Sequence, residues 1–465
     1  MLFIKIINNF AVANEKQHKN MSINLSLKKG LDLKIAGGIA DSVLHQVKVS
    51  NCAIIPDDFH GFQPKPEVHE GDIVKAGTPL LRDKTFENVK IVSPVAGMVK
   101  AIVRGERRKI ERVIVEASGA GDTVVFDSAV ARTREEAVDL LSRSGLLVMI
   151  RQRPYDIVPR PDVVPRDIFV TAIDSAPLAA DMALQVKGKE KYLARGVELL
   201  GNITTGKVYV AIRPGALTEI PGAEMINVTG PHPAGNAGVQ IANISPVNKG
   251  EVVWTLDIVT LARIGELVET GRLDMTAYVA VTGSEVEKPY MAETVIGAPV
   301  EALLKGNEKQ DGRHHRIISG NVLTGVSERH DGFVHYPYRQ LTVIPEGDDV
   351  DEFMGWASIS PNKMSVSRTF PGRFFGRTFN PDARLLGGRR AMIMSGEYDR
   401  VLPMDILPEF LLKAIIGRDI DKMEKLGIYE VSPEDFALCE YVDTSKMELQ
   451  RIVREGLDFL HKELE

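Results

Sequence analysis

Cysteine is nearly missing from this 465-residue chain: it has two, Cys52 and Cys439, far apart in sequence. Two thiols cannot supply the four thiolates of an ordinary iron–sulfur cluster. The same usage fits a reducing compartment without a disulfide framework. No uncharged apolar run approaches the roughly 20 residues that a membrane helix needs, so no direct membrane span is expected. Excess positive charge is also missing. With 57 Lys and Arg against 63 Asp and Glu the net charge is -6. Such a balance offers no concentrated basic face to nucleic acid. The one dense basic run, Arg104 to Arg112, carries Glu106 and Glu111 within it and reads as a solvated hairpin. There is no G-x-S-x-G elbow, no H-E-x-x-H metal motif, no internal repeat and no low-complexity tract.

The most informative absence is a glycine-rich phosphate loop. The chain is organised around Ser144 to Asp181, where a helix exit at Gly145 leads through an apolar run and then Arg151, Gln152, Arg153, Pro154 and Tyr155 to a buried strand over 168–173. A nucleotide-binding α/β domain uses glycines near such a place, so that backbone N–H groups can approach a phosphate. Here the side chains are long, bulky or cyclic. No strand-to-helix turn reads G-x-G-x-x-G. The nearest candidate, Gly230 to Gly235 (GPHPAG), loses two backbone donors to proline. The pattern is a cofactor-binding architecture without its phosphate cradle.

What is present divides into α/β and α+β parts. Residues 1–20 read as a poorly ordered extension, with Met21 the natural start. Residues 21–125 carry short strands punctuated by Gly and Pro, similar to a lipoyl/biotinyl-carrier β half-barrel. A carrier reading would attach a swinging arm to Lys84. The stretch from Lys84 to Ser93 is too long for the tight hairpin that displays one, so the barrel reads as a structural shell. Residues 126–274 alternate strands and helices, the mark of a Rossmann-like parallel sheet. Thr133 and Glu136 form a capping box there, and Gly271 closes a helix that begins at Asp257. Residues 275–350 begin with a hairpin over 278–290 and a short helix after Pro299, which suggests a β-grasp unit of the SLBB kind. Residues 351–465 are mostly helical. The last helix shows one apolar stripe of Leu449, Ile452, Val453, Leu457 and Leu460, read first as internal packing and second as a partner-binding face.

Taken in order, several strings carry a resemblance: Lys28 to Leu33 (KKGLDL), Arg153-Pro154, Phe169 to Ala172 (FVTA), Asp174 to Ala180 (DSAPLAA), Gly230 to Gly235, Ser319 to Gly325 (SGNVLTG), Gly355 to Ala357 (GWA), Ser365 to Phe370 (SVSRTF) and Tyr398 to Pro403 (YDRVLP). Their order and spacing from Met21 to the C-terminus resemble the NqrA family of the sodium-translocating NADH:quinone oxidoreductases. The layout is also similar to the FMN-binding subunit of respiratory complex I and to RnfC proteins, which keep a glycine-rich flavin loop and a cysteine cluster. A departure is Asp443, where some relatives carry a second cysteine after Cys439. The resemblance implies a peripheral subunit on the cytoplasmic face of the bacterial inner membrane, part of a six-subunit redox pump. It implies docking on the membrane-embedded NqrB protein of that pump and association with a quinone, ubiquinone or menaquinone. Flavins and iron–sulfur centres would sit in partner subunits, with no cofactor bound covalently here and no activity for the lone polypeptide. A scaffold role without its own quinone site shares every one of these strings and stays open. An independent flavin- or NAD-dependent dehydrogenase is disfavoured by the missing glycine loop.

A quinone needs apolar walls and polar hydrogens aimed at its carbonyls, and its reduction adds negative charge. The candidates are Arg151, Arg153, Tyr155, His232, Arg368 and Phe370; the last two lie in a stretch where Phe374, Phe375 and Phe379 alternate with Arg373 and Arg377. The competing expectation is that the arginines pair with carboxylates and His232 is a structural hydrogen-bonder. His314, His315, His330 and His335, with Glu328 and Asp331, fit no metal template and read as a polar loop.

Overall fold

The computed structural model describes residues 22–40, 43–119, 121–128, 131–348, 363–364, 371–375 and 378–464. The expected extension (1–20), Arg368, Phe370 and Arg377 lie outside them.

One sheet divides the molecule. Its strands run in the order Ile23–Ser26, Glu224–Thr229, Val208–Ile212, Asp167–Thr171, Val253–Asp257, Arg151–Arg153. The first five are parallel and the last is antiparallel. Central strands of such a sheet are apolar on both faces because both faces are covered. Ile168, Val170, Val208 and Val210 enter one core, while Phe169 and Ala211 enter the other. Phe169 stacks on Tyr209 with ring centroids 4.6 Å apart.

The helices Glu190–Gly201 and Ile258–Thr270 cover the first face. They touch closely through glycine: a Cβ on Gly265 would stand 1.7 Å from the Tyr192 carbonyl oxygen. The helix ends follow the sequence signals. Thr133 and Glu136 make both bonds of the capping box, Asp257 caps the second helix, and Gly271 ends it at φ 69°. The C-terminal helices, among them Pro408–Ile416, Ala437–Val442 and Leu449–Leu464, cover the opposite face. Leu449, Ile452, Val453, Leu457 and Leu460 are all buried in that second core. The apolar stripe is therefore spent on internal packing and is not an open partner face.

The half-barrel is built from a four-stranded and a three-stranded antiparallel sheet between Asn51 and Ala117. Its strands Gly97–Arg104 and Ile110–Ala117 make the basic run a hairpin end, as expected. The grasp unit orders its strands Val326–Glu328, His315–Ser319, Gln340–Pro345, Thr276–Thr282, Tyr290–Val295, with Leu44–Gln46 at the edge. The strands Ile23–Ser26 and Leu44–Gln46, which precede the barrel in sequence, thus join sheets other than the barrel's. Between those two strands the chain straps three parts together. Leu31 N–H donates to the His232 carbonyl, Ala36 N–H to that of Phe379, and Gly283 N–H to that of Gly37. Gly37 has φ +94°, and a Cβ there would meet the Gly283 carbonyl carbon at 2.1 Å. Only glycine allows that approach.

Arg153 ties the antiparallel edge strand to the C-terminal region. Its guanidinium is 2% exposed and holds Asp435 and Glu434, each at 3.0 Å. Asp435 also accepts from Ser432 N–H and Oγ–H, both at 2.9 Å. Removing one partner of a buried pair strands the other charge, at a cost of about 3–5 kcal/mol. Arg153→Ala should therefore lower the urea midpoint and speed proteolysis of the helices after residue 397. An unchanged midpoint and digestion pattern would show that the tether carries no load.

Candidate functional site

In an open parallel sheet, ligands bind beyond the carboxyl ends of the strands where the strand order reverses. Here that place lies between Asp167–Thr171 and Val253–Asp257. The chain's own side chains fill it. Asp257 Oδ1 accepts from Thr260 N–H at 2.7 Å, capping the helix N-terminus with a carboxylate. Asp257 Oδ2 accepts from Arg339 of the grasp unit at 2.6 Å. Burial by itself would raise the Asp257 pKa; Arg339 and the Thr260 amide hold it below the ordinary carboxylate range. Gln340 follows Arg339 and donates to the Pro177 carbonyl at 3.1 Å, pinning the loop after the first strand.

His232 lies at the same end of the sheet, in the GPHPAG loop. It is buried, 5% exposed. Its N–H donates to Asp32 at 2.9 Å. Gly235 N–H donates to Ser175 Oγ at 2.8 Å, and Ser175 Oγ lies 3.0 Å from His232 Nδ1. A serine hydroxyl that accepts from Gly235 can also donate to Nδ1, an arrangement that puts the imidazole proton on Nε2. Burial lowers the pKa of His232 to about 4, against a smaller opposing effect of Asp32. At neutral pH it is an uncharged ring.

The other described candidates divide by what already holds them. Arg153 is spent on Asp435 and Glu434. Tyr155 is buried at φ 77°, its ring 4.7 Å from that of His461, and its carbonyl accepts from Arg454 of the last helix. Both serve contacts between parts of the fold. Arg151 donates through Nη2 to the Asp58 carbonyl, while its Nη1 is buried with no hydrogen-bond acceptor among the described residues. No described hydrogen bond or ion pair joins His232 to Arg151, Arg153 or Tyr155. Phe379 is buried under the strap and Phe374 is exposed, so the aromatic stretch does not act as one platform. Both thiols are buried, and burial pushes Cys52 up to about 12 and Cys439 higher still. Asp443 accepts from the Tyr398 hydroxyl at 2.9 Å and from the amides of Ser445 and Met447, a structural use of that position.

A charged junction that sequence spacing did not suggest joins the barrel to the grasp unit. His335 Nδ1 is 2.6 Å from Asp58 Oδ1, and Nε2 is 3.2 Å from Glu328 Oε1. Tyr336 N–H donates to Asp58 Oδ2 at 2.9 Å. Thus His335 is separated from His314, which faces Asp348, and from His315, which faces Glu308 and Asp311.

Known proteins share this architecture. Residues 25–118 match the family described as the NqrA N-terminal barrel-sandwich hybrid domain. Residues 132–273 match the NqrA second alpha/beta domain, and 278–328 the NQRA C-terminal domain. Proteins named as the A component of the Na(+)-translocating NADH-quinone reductase are similar along almost the whole chain. The one from Pasteurella multocida is 35% identical over 94% of this chain and 100% of its own length. Those from Neisseria meningitidis serogroup C and Saccharophagus degradans are 36% and 37% identical with the same coverage. This chain belongs to the NqrA family. Among solved structures, an NAD+-reducing [NiFe]-hydrogenase is similar over 71% of this chain and 61% of its own, at 12% identity and TM-score 0.36, too low to bear on the site. In this NqrA family member no described helix is long and apolar enough to cross a membrane.

The junction makes a pH-dependent prediction. Burial would lower the His335 pKa, but Asp58 and Glu328 overcome it and hold it up to about 9. Asp58 itself is raised by burial despite His335, so its desolvation offsets part of the gain. In the unfolded chain a histidine titrates near 6.5, roughly. The stabilisation by protonated His335 is therefore complete below that pH and lost as pH rises through 9. Thermal midpoints of the native protein should fall relative to His335→Gln between pH 7 and pH 10. Parallel pH profiles of the two proteins would contradict a charged His335.

Proposed function

We propose that this chain is the peripheral subunit of a sodium-pumping NADH:quinone reductase and serves its quinone side, with no flavin or iron–sulfur group of its own. The carrying observation is the filled crevice: Asp257 and Arg339 occupy the place where an α/β domain of this strand order would receive a dinucleotide. A helix N-terminus already capped by a carboxylate has no room for a phosphate. The relatives' shared name supports the assignment to the complex. The other partners would be the rest of a six-subunit assembly, above all its membrane-embedded NqrB protein, reached from the cytoplasmic face.

The proposed chemistry is hydrogen bonding to a quinone carbonyl. Electron transfer to the ring builds negative charge on its oxygens, and an N–H donor there stabilises the reduced form. His232 would supply a neutral Nε2–H in the tautomer in which Ser175 Oγ–H donates to Nδ1. With a pKa near 4 it orients and polarises; it is not the cationic source of a proton. Arg151, with Nη1 unpaired among the described residues, is a second donor. Arg153 and Tyr155 drop to supporting positions. A scaffold role is the second reading, favoured by one observation. The groove of about 430 Å³ between the barrel loop and the helix Arg134–Arg143 is lined by Phe86, Val138 and Pro161 together with Glu87, Arg134 and Asp139, and none of Arg151, Arg153, Tyr155 and His232 lines it.

Titrating the full chain with a quinone headgroup analogue, followed by backbone NMR, should give saturable shifts confined to residues around 230–235, abolished in His232→Ala. No saturable, localised response would favour the scaffold. In the assembled complex, omission of this chain should stop quinone reduction while NADH oxidation by artificial acceptors continues. Loss of both together would count against the quinone side.

A further inference from the structure

Outside the site described above, the grasp unit contains a second chemical grouping. Glu285 follows the strand Thr276–Thr282, and Asp311 and His315 flank the turn that enters the strand His315–Ser319. Their ligand atoms all lie within 4.8 Å of one another. His315 Nε2 is 3.2 Å from Asp311 Oδ1 and 3.6 Å from Glu285 Oε2. We propose that Glu285, Asp311 and His315 form a divalent-cation site of zinc-like chemistry.

Three features carry the proposal beyond a cluster of acids. The first is spacing. A tetrahedral ion with Zn–N and Zn–O bonds of roughly 2.0–2.2 Å sets its donors about 3.4 Å apart, and the two separations from Nε2 bracket that value. The second is orientation. His315 Nδ1 lies 2.8 Å from Glu308 Oε1, a carboxylate placed to accept an Nδ1–H and leave Nε2 for the other two acids. Metal-bound histidines are held in this way. The third is a buried carboxylate with one oxygen turned to the imidazole. Glu285 is 6% exposed. Its Oε1 accepts from Ser284 Oγ at 2.9 Å, while Oε2 accepts no hydrogen bond among the described residues and faces the imidazole.

The frame is rigid where it matters. Glu285 N–H donates to the Val343 carbonyl, and Lys309 N–H donates to that of Glu285. Asp311 accepts from Arg313 N–H at 3.0 Å, which fixes the carboxyl within its turn. The Arg313 side chain, 3.8 Å away, competes for Asp311 from its own turn. Two carboxylates aimed at one imidazole nitrogen repel it unless something positive lies between them. A proton on Nε2 or a metal ion meets that need, and an ion can be ligated there only by a nitrogen that carries no proton. Three protein ligands leave a fourth position for water or for a group from another molecule. The bound ion would clasp the 308–315 turn to the grasp sheet.

The test uses the untagged full chain, stripped with a chelator and titrated with zinc and, for its spectrum, cobalt. One ion per chain should bind and raise the thermal midpoint, and calorimetry in two buffers should register proton release. Cobalt should give the intense visible bands of a four-coordinate site. Glu285→Gln and Asp311→Asn should each weaken binding about 100-fold or more, and Glu308→Gln about 10–100-fold. His315→Ala should abolish it. Should that variant fail to fold, Asp311→Asn decides, because Asp311 is the more exposed ligand. No stoichiometric binding, or binding that survives both carboxylate variants unchanged, would overturn the proposal.

Discussion

The ion pair between Asp257 and Arg339 is the constraint on which most of this architecture rests. Its partners come from different parts of the fold, 2.6 Å apart and both largely buried. It closes the crevice at the reversal of strand order, caps a helix that would otherwise attract an anion, and clamps the grasp unit to the α/β sheet. Gln340 extends the clamp to the loop after the first strand. The strap through Gly37 crosses to the same grasp unit from the side of the GPHPAG loop. A pair of this kind is costly to bury and costly to break. Its value lies in fixing one arrangement of the three parts, with the sheet as a shared wall between two cores.

That arrangement places two kinds of polar group at the joints. Arg153, Tyr155 and Arg454 hold the C-terminal helices in place through their hydrogen bonds, although the Nε of each arginine has no acceptor among the described residues. Arg151 leaves its Nη1 without an acceptor among the described residues, and no hydrogen bond is described for His232 Nε2. The difference is one of degree: Arg153 and Arg454 each make two described bonds across the fold, and Arg151 makes one. An arginine is no more chemical than its neighbours allow.

Much of this was legible in the sequence where signals are local. The strand through Phe169, the capping box at Thr133, the helix stop at Gly271, the hairpin over 278–290 and the stripe on the last helix each follow from spacing within one element. The pairings between distant parts were not legible. Strands Ile23–Ser26 and Leu44–Gln46 are short, and nothing local says which sheet receives them. Arg153 meets Asp435 282 positions away. The histidines of the grasp unit looked like one group because they are near in sequence. The fold sends His335 to Asp58 of the barrel and turns His315 toward Glu285 and Glu308, residues that no motif marks.

The occupied crevice can be tested without the rest of the complex. Equilibrium dialysis of the purified chain against FMN, and separately against NADH, measures whether the sheet still accepts a nucleotide. The expected result is no saturable binding of either at concentrations up to the millimolar range. Stoichiometric binding that protects the loops around Asp257 and Ser175 from hydrogen exchange would contradict it, because the Asp257–Arg339 pair would then be a gate rather than a plug.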